Sequence, residues 1–241
     1  RDGIISVSLP CSAILPAAGV GIRMGGELPK QYLEVSGATL LEHSLRALLA
    51  CPEISRIIVV LQAGDRRAAG LPLLSDPGVQ CVAGGAERCD SVLAGLDALT
   101  GQTPERGWVL VHDAARPCVL TADIARLIGE VSAREVGGIL AEPIVDTVKQ
   151  AGEDGLVSRT LDRSRLWRAQ TPQMFRLGEL RQALQAAREQ GLAVTDEASA
   201  MERAGYPVQL VPGSPGNLKV TVPADLALAG WYLQRNTPRG P

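Results

Sequence analysis

The feature that most restricts the fold of this chain is a rhythm repeated along its first part. Short apolar runs recur at 13–15, 54–61, 79–83, 108–112 and 137–141. Amphipathic segments lie between them. The stretch 39–50 sets Leu41, Leu45, Leu48 and Leu49 on one helical face, with Thr39 placed to cap it and Pro52 to bar its continuation. The helix opened by 84–88 aligns Val92, Leu93, Leu96 and Leu99, and 122–134 aligns Ile124, Leu127, Ile128 and Val131. Runs that are apolar throughout, rather than alternating, read as strands covered on both faces. Strand, loop and helix in repetition specify a parallel, doubly wound α/β sheet, because each helical crossover returns the chain in the same direction.

The first of these turns is the richest in chemistry. Residues 15–32 read Leu-Pro-Ala-Ala-Gly-Val-Gly-Ile-Arg-Met-Gly-Gly-Glu-Leu-Pro-Lys-Gln-Tyr. Gly19, Gly21, Gly25 and Gly26 let backbone N–H groups approach an anion closely. Arg23 offers a planar fork for phosphate and Lys30 a movable point charge, opposed only by Glu27. The expectation is a polyphosphate cradle at the carboxyl end of the first strand. Three other readings compete. A dinucleotide fingerprint opens a helix directly and places an acid about 20 residues on. Pro29 and the Gly25–Gly26 pair oppose a continuous helix, and the first acid after the second strand is Asp65, too far along. A P-loop needs Gly-Lys-Ser/Thr, which the stretch lacks. A loop with no ligand is the third reading, and two cations amid so many glycines argue against it.

Later turns add candidates. Gly84 and Gly85 precede Glu87, Arg88 and Ser91, whose groups either face a ribose or base or merely start a helix with Arg88 in solvent. Asp113, beside Ala114 and Ala115, ends the fourth strand, where an aspartate reaches a divalent cation held by substrate phosphates. The competing reading is an ion pair of Asp113 with Arg116 bracing a turn; His112 reads as scaffold. From Pro143 the rhythm changes. Residues 144–149 and 156–161, joined by a glycine-rich turn, read as a β-hairpin too small to stand alone, hence one that packs on another subunit. Arg163, Arg165 and Arg168 then form either a basic tip reaching a neighbour's site or a solvated charged loop. Thr195 is read as a helix cap or a substrate contact. The stretch 206–211 reads as a strand, and 218–221 as a return to the sheet, interrupted by Lys219. A lysine there sits on an edge or meets an anion.

Composition closes off other classes. The chain has 241 residues, 46% of them hydrophobic and 21% charged, enough for a substantial core in one α/β domain or two small ones. No linker divides it, so residues 1–241 read as a single domain with an arm at about 143–170. A net charge of −2 and 3% aromatic content argue against a nucleic-acid partner. Five dispersed cysteines without a C-x-x-C pair read as reduced thiols, hence a cytoplasmic protein. No apolar run approaches the roughly 20 residues of a membrane span, and residues 1–10 show no signal-peptide core. Two separated histidines do not suggest zinc.

In this order and spacing, the stretches resemble one family over about Ser12 to Trp231. They are P-A-A-G-x-G-x-R-M at 16–24, P-K-Q-Y at 29–32, G-G-x-E-R-x-D-S-V at 84–92 and V-H-D-A-A-R-P at 111–117. D-T-V-K at 146–149, T-P-Q at 171–173, T-D-E-A-S at 195–199 and K-V-T at 219–221 complete the set. The chain is similar to the 2-C-methyl-D-erythritol 4-phosphate cytidylyltransferases of the non-mevalonate isoprenoid pathway. The resemblance implies a Rossmann-like nucleotidyltransferase sheet with a protruding β-hairpin dimerisation arm. It implies CTP and methylerythritol phosphate as substrates, pyrophosphate as product, and a divalent cation: Mg2+, with Mn2+ and Co2+ as alternatives. A sister family acting on ribitol 5-phosphate is the alternative. Arg23 and Lys30 would stabilise the transition state. Pro16, Ala17, Ala18, Gly19, Gly21, Gly85, Arg88, Ser91, Asp113 and Lys219 would face the nucleotide, with Asp113 by the metal. Arg116, Thr147, Thr171, Thr195, Lys219 and Arg163 of a partner subunit would surround the acceptor.

Overall fold

A computed structural model describes residues 11–19 and 28–236. Gly21, Arg23 and the glycine pair at 25–26 lie outside the described residues, as does the tail after Asn236.

The first half of the sheet follows the expected rhythm. Strands β1 (Cys11–Ala17), β4 (Ile54–Leu61), β5 (Val79–Ala83) and β6 (Trp108–Val111) pair in parallel, β1 lying between β4 and β6. A two-stranded ribbon, β2 (Glu34–Val35) and β3 (Ala38–Thr39), precedes helix α1 (Leu40–Leu49). Thr39 caps α1 as expected: its hydroxyl accepts from the Glu42 amide at 3.2 Å, and the Glu42 carboxylate accepts from the Thr39 amide at 2.9 Å. Helix α2 spans Arg88–Leu99 and α3 spans Thr121–Arg134. The connection 62–78 holds two short 3-10 turns, Ala68–Gly70 and Pro72–Ser75.

The strands alternate their side chains between two cores. Ala13, Leu15, Ile57 and Val59 meet Leu41, Leu45 and Leu48 of α1 and Ile124 and Leu127 of α3. Ile14, Ile58 and Val60 point the other way, onto Val92, Leu96 and Leu99 of α2. Helices therefore cover both faces, and the strands bury side chains on each, which is why they lack polar alternation.

The second half departs from the parallel rhythm. Strand β7 (Gly138–Pro143) leads to the hairpin β8 (Val148–Ala151) and β9 (Val157–Leu161), a separate two-stranded sheet. Strand β10 (Trp167–Arg176) then returns antiparallel between β6 and β7. This corrects the sequence reading, which left these residues as an arm tip followed by connection. The run Trp-Arg-Ala-Gln-Thr-Pro-Gln-Met-Phe-Arg shows neither alternation nor an unbroken apolar stretch. Its polar side chains Gln170, Thr171 and Gln173 are buried because partners meet them inside.

Helices α4 (Leu177–Glu189) and α5 (Glu197–Arg203) cover the second face, and β11 (Gln209–Pro212) completes the seven-stranded order β11-β7-β10-β6-β1-β4-β5. The segment 218–221, expected as a strand, is extended coil tied to the sheet by the Val220 amide, which donates to the Ala115 carbonyl at 2.8 Å. Helix α6 (Pro223–Asn236) starts at Pro223 as expected.

Candidate active site

The chain leaves β1 toward β4 on one side and reaches β6 on the other. Ligands of open α/β sheets bind at such a reversal, beyond the strand carboxyl ends. Three turns converge there: 16–19 after β1, 84–88 after β5, and 112–116 after β6. Gly84 permits the convergence. A Cβ at that position would lie 2.6 Å from Ser91 Oγ and 2.7 Å from Ala18 Cβ.

A pocket opens between these turns. Pro16, Ala17, Ala18, Gly19, Lys30, Gly85, Arg88, Ser91, Asp113 and Lys219 all line it, so the described part of the proposed nucleotide set is brought together. Gln31, Ala86, Glu87, Ala114 and Ala115 line it too. The amide nitrogen of Gln31 donates to the Ala17 carbonyl at 2.7 Å, tying the Lys30 turn to β1. Lys30 Nζ donates to the Val220 carbonyl at 3.3 Å. Ser91 donates its hydroxyl to the Glu87 carbonyl at 3.2 Å, a bond internal to the helix start.

A second pocket adjoins the first. Arg116, Thr171 and Thr195 line it, with Gln173 and Asp196. Arg88, Asp113 and Lys219 line both pockets and so form their common wall. Thr147 and Arg163 reach neither. Thr147 is exposed beside β8, and Arg163 donates to the Val145 carbonyl at the root of the arm.

Electrostatics organise this wall. Arg88 is not in solvent. Its Nη1 and Nη2 donate to the two Glu197 oxygens at 2.6 and 3.0 Å. Its Nε and Nη2 donate to Asp113 Oδ1 at 3.1 and 3.0 Å. Lys219 Nζ stands 2.7 Å from Asp113 Oδ2. Lys219 thus meets an anion, the second of the two expected outcomes. Burial alone would raise the Asp113 pKa, but Arg88 and Lys219 outweigh it and hold the carboxyl well below the usual carboxylate range. Burial would lower the Arg88 pKa, and Glu197 and Asp113 outweigh it in the same way, keeping the guanidinium charged. The competing reading, an Asp113–Arg116 pair, gives way to these contacts.

Arg116 differs from Arg88. It donates through Nη1 to the Asn217 carbonyl at 2.7 Å and through Nη2 to the Ala169 carbonyl at 3.2 Å. Its Nε is buried without a hydrogen-bond partner, and no described carboxylate pairs with it. A half-buried guanidinium so placed keeps its charge uncompensated by a carboxylate.

His112 is scaffold, as expected. Nε2 faces the Arg116 carbonyl at 3.2 Å, which only accepts, so Nε2 carries the proton. Nδ1 then accepts from the Thr171 hydroxyl at 2.9 Å, and that hydroxyl accepts from the Asp113 amide at 3.0 Å. Burial keeps the ring neutral and pushes its pKa down to about 4.

Asp196, not Thr195, caps α5: its carboxylate accepts from the Ser199 amide at 2.9 Å. Thr195 is thereby left at the rim of the second pocket. Sequence reasoning missed Glu197 and Gln173. A glutamate in a helix's first turn reads as a favourable dipole contact, and nothing local reveals a distant arginine.

Fold and cleft together define a doubly wound, Rossmann-like α/β protein with a cleft at the carboxyl edge of its sheet, lined by Lys30, Arg88, Asp113 and Lys219. Comparison narrows this class. A family model described as 2-C-methyl-D-erythritol 4-phosphate cytidylyltransferase matches residues 11–235. Relatives of that name from Vibrio parahaemolyticus and Photobacterium profundum are 52% identical over 223 residues and 50% over 229. They cover 92% and 93% of this chain and 95% and 96% of their own. The crystal structure of 4-diphosphocytidyl-2C-methyl-D-erythritolsynthase from Anaerococcus prevotii superposes with a TM-score of 0.82 at 30% identity, covering 95% of this chain and 97% of its own. That of the cytidylyltransferase from Thermus thermophilus gives 0.76 at 34%, covering 92% and 98%. The chain belongs to the 2-C-methyl-D-erythritol 4-phosphate cytidylyltransferase family.

Proposed function

We propose that this chain joins CTP to 2-C-methyl-D-erythritol 4-phosphate, giving 4-diphosphocytidyl-2-C-methyl-D-erythritol and pyrophosphate. Family membership supports the substrates and the reaction. The observation that carries the reading in the structure is the common wall: two pockets meeting at the charged side chains of Arg88, Asp113 and Lys219. Two anionic substrates held in them would face one another across those side chains.

The first pocket takes CTP, with its phosphates toward Lys30 and Arg23, and the second takes the acceptor phosphate at Arg116 and Lys219. An acceptor oxygen attacks the CTP α-phosphorus. The new O–P bond forms as the bond to the β-phosphate bridging oxygen breaks, and that electron pair leaves with pyrophosphate. The acceptor phosphate is already ionised, so the step requires no general base. His112, neutral and fully engaged, supplies none. Catalysis rests on positioning and on cations facing the transferring group.

A divalent cation, Mg2+ with Mn2+ and Co2+ as alternatives, fits a single ligand here. No group of three potential ligands occurs among the described residues. The Asp113 carboxylate, kept ionised and lining both pockets, suits a cation completed by substrate phosphates. Bound there, the cation would neutralise phosphate charge.

The chain acts as a homodimer joined by the arm, Arg163 and Thr147 serving the partner's acceptor pocket. Val145, Leu156 and Val157 are 75%, 69% and 63% exposed, an apolar edge that supports such packing. The five unpaired cysteines support a cytoplasmic location; no described helix is long and apolar enough to cross a membrane.

Pyrophosphate release tests the reading, with CTP against the other nucleoside triphosphates, and with methylerythritol phosphate, ribitol 5-phosphate or no acceptor. Release requiring CTP and methylerythritol phosphate is the expected result. Release with ribitol 5-phosphate instead would move the chain to the sister activity, and none with any acceptor would remove the reading.

A further inference from the structure

Glu197 lies in the first turn of α5 and lines neither pocket, yet it grips the side chain that separates them. Its residue is 1% exposed, and both carboxylate oxygens accept from Arg88. The opposite edge of the same guanidinium donates twice to Asp113. A planar guanidinium held on two edges has neither rotation nor translation left. No other described cation pairs with Glu197, so the two charges compensate one another.

The grip is itself anchored. The Gln173 amide nitrogen donates to Asp196 Oδ2 at 2.9 Å, and its oxygen accepts from the Ala198 amide at 2.9 Å. These two bonds fasten the start of α5 to β10. The same strand carries Thr171, whose hydroxyl accepts from the Asp113 amide. Both carboxylates on Arg88 are therefore registered on one interior strand.

We infer that Glu197 is a positioning residue for the reaction proposed above: its buried carboxylate holds Arg88 upright as the wall between nucleotide and acceptor. This rests on that functional reading. Without the grip the arginine keeps only its Asp113 edge, and the freed Nη1 would turn to the next strong anion, which in a loaded site is a substrate phosphate. The attacking oxygen and the α-phosphorus would then lose their alignment, although both substrates stay bound.

Charge separates this role from a merely structural one. Glu197→Gln preserves shape and makes the site more positive by one unit. Charge alone would leave CTP binding equal or tighter. Misplacement of the reacting groups lowers turnover, by about 10²-fold for a shift on the order of 1 Å.

The test measures CTP affinity by calorimetry and pyrophosphate release in a single turnover, on the full-length chain and on Glu197→Gln. The expected result is turnover lower by about 10²-fold with CTP affinity equal or tighter. In an Arg88→Gln background the same change should add nothing, since the path through Arg88 is already lost. Wild-type turnover in Glu197→Gln overturns the inference, as does an equal loss of affinity and turnover. If Glu197→Gln does not fold, Glu197→Asp keeps the charge and the Arg88 side chain but shortens the reach by one methylene. Folded and slower with CTP affinity retained, it supports the role. Folded with full turnover, with affinity and turnover lost alike, or unfolded, it assigns Glu197 to the scaffold and overturns the role. A wild-type chain that releases no pyrophosphate removes the functional reading instead, and the inference with it.

Discussion

Arg88 in the cleft and Arg163 on the arm are held in opposite ways. Arg88 in the cleft is bracketed by Asp113 and Glu197 within one chain. Arg163 at the arm's root donates only to a backbone carbonyl, and no described carboxylate pairs with it. Apolar side chains follow the same division. Those flanking the cleft's strands are buried in two cores, whereas Leu156 and Val157 stand in solvent. The Arg88 wall satisfies its charges internally and so is shaped before any ligand arrives. The arm leaves Arg163 without a carboxylate and its apolar edge uncovered, as does a surface built to meet another molecule, although Arg168 at its base pairs with Glu142.

The largest effect should come from Lys30, which lines the cleft, and from Arg23. Lys30→Ala and Arg23→Ala are expected to lower turnover on the order of 10²–10³-fold while weakening CTP binding far less. Single-turnover kinetics set against calorimetry decides this, and equal losses in both would remove the proposed role.

Next comes sharing across the arm. Subunits carrying Arg163→Ala mixed with subunits carrying Lys30→Ala should regain activity, because one hybrid site carries neither lesion. Demonstrated heterodimers with no recovery would confine Arg163 to its own chain.

Acid should act on the scaffold beneath the cleft. The His112 pKa is pushed from 6.5 down to about 4, so the unfolded chain binds the extra proton between those values. Stability is therefore expected to fall by roughly 3 kcal/mol as pH drops through that window. Asp113, depressed by its cations, stays ionised in the folded chain and adds slope of the same sign only at the acid end of that window, where the unfolded carboxylate begins to protonate. Urea unfolding across the window measures the slope, which His112→Gln should flatten.

The smallest effect belongs to the arm's apolar edge. Val157→Ser should change subunit stability by only about 0.5 kcal/mol or less, since the side chain is already exposed. It should nevertheless shift the monomer–dimer balance toward monomer in sedimentation. No shift would leave the exposed edge without its proposed partner.

Most of the parallel half was legible because its strands are buried on both faces and its helices carry one apolar stripe. The Thr39 cap and the turns at 84–88 and 112–116 were legible for the same local reasons. Strand β10 was not. Gln170, Thr171 and Gln173 look like loop residues, and only their partners on other elements make them interior. Lys219 was flagged as an anomaly in an apolar run, which pointed correctly to an anion, although the run proved to be coil. Glu197 stands inside the T-D-E-A-S motif, but its role was not legible, because its partner lies 109 positions away. Local rules find caps and cores, whereas ion pairs between distant turns appear only once the sheet has brought them together.

The central claim is that one wall serves both substrates. Lys219 lines both pockets and Thr195 only the second, so the Michaelis constants of Lys219→Ala and Thr195→Ala test it directly. The account predicts that Lys219→Ala raises the constant for CTP and for methylerythritol phosphate together, and that Thr195→Ala raises the acceptor's alone. A Lys219→Ala enzyme in which only one of the two constants moves would contradict it.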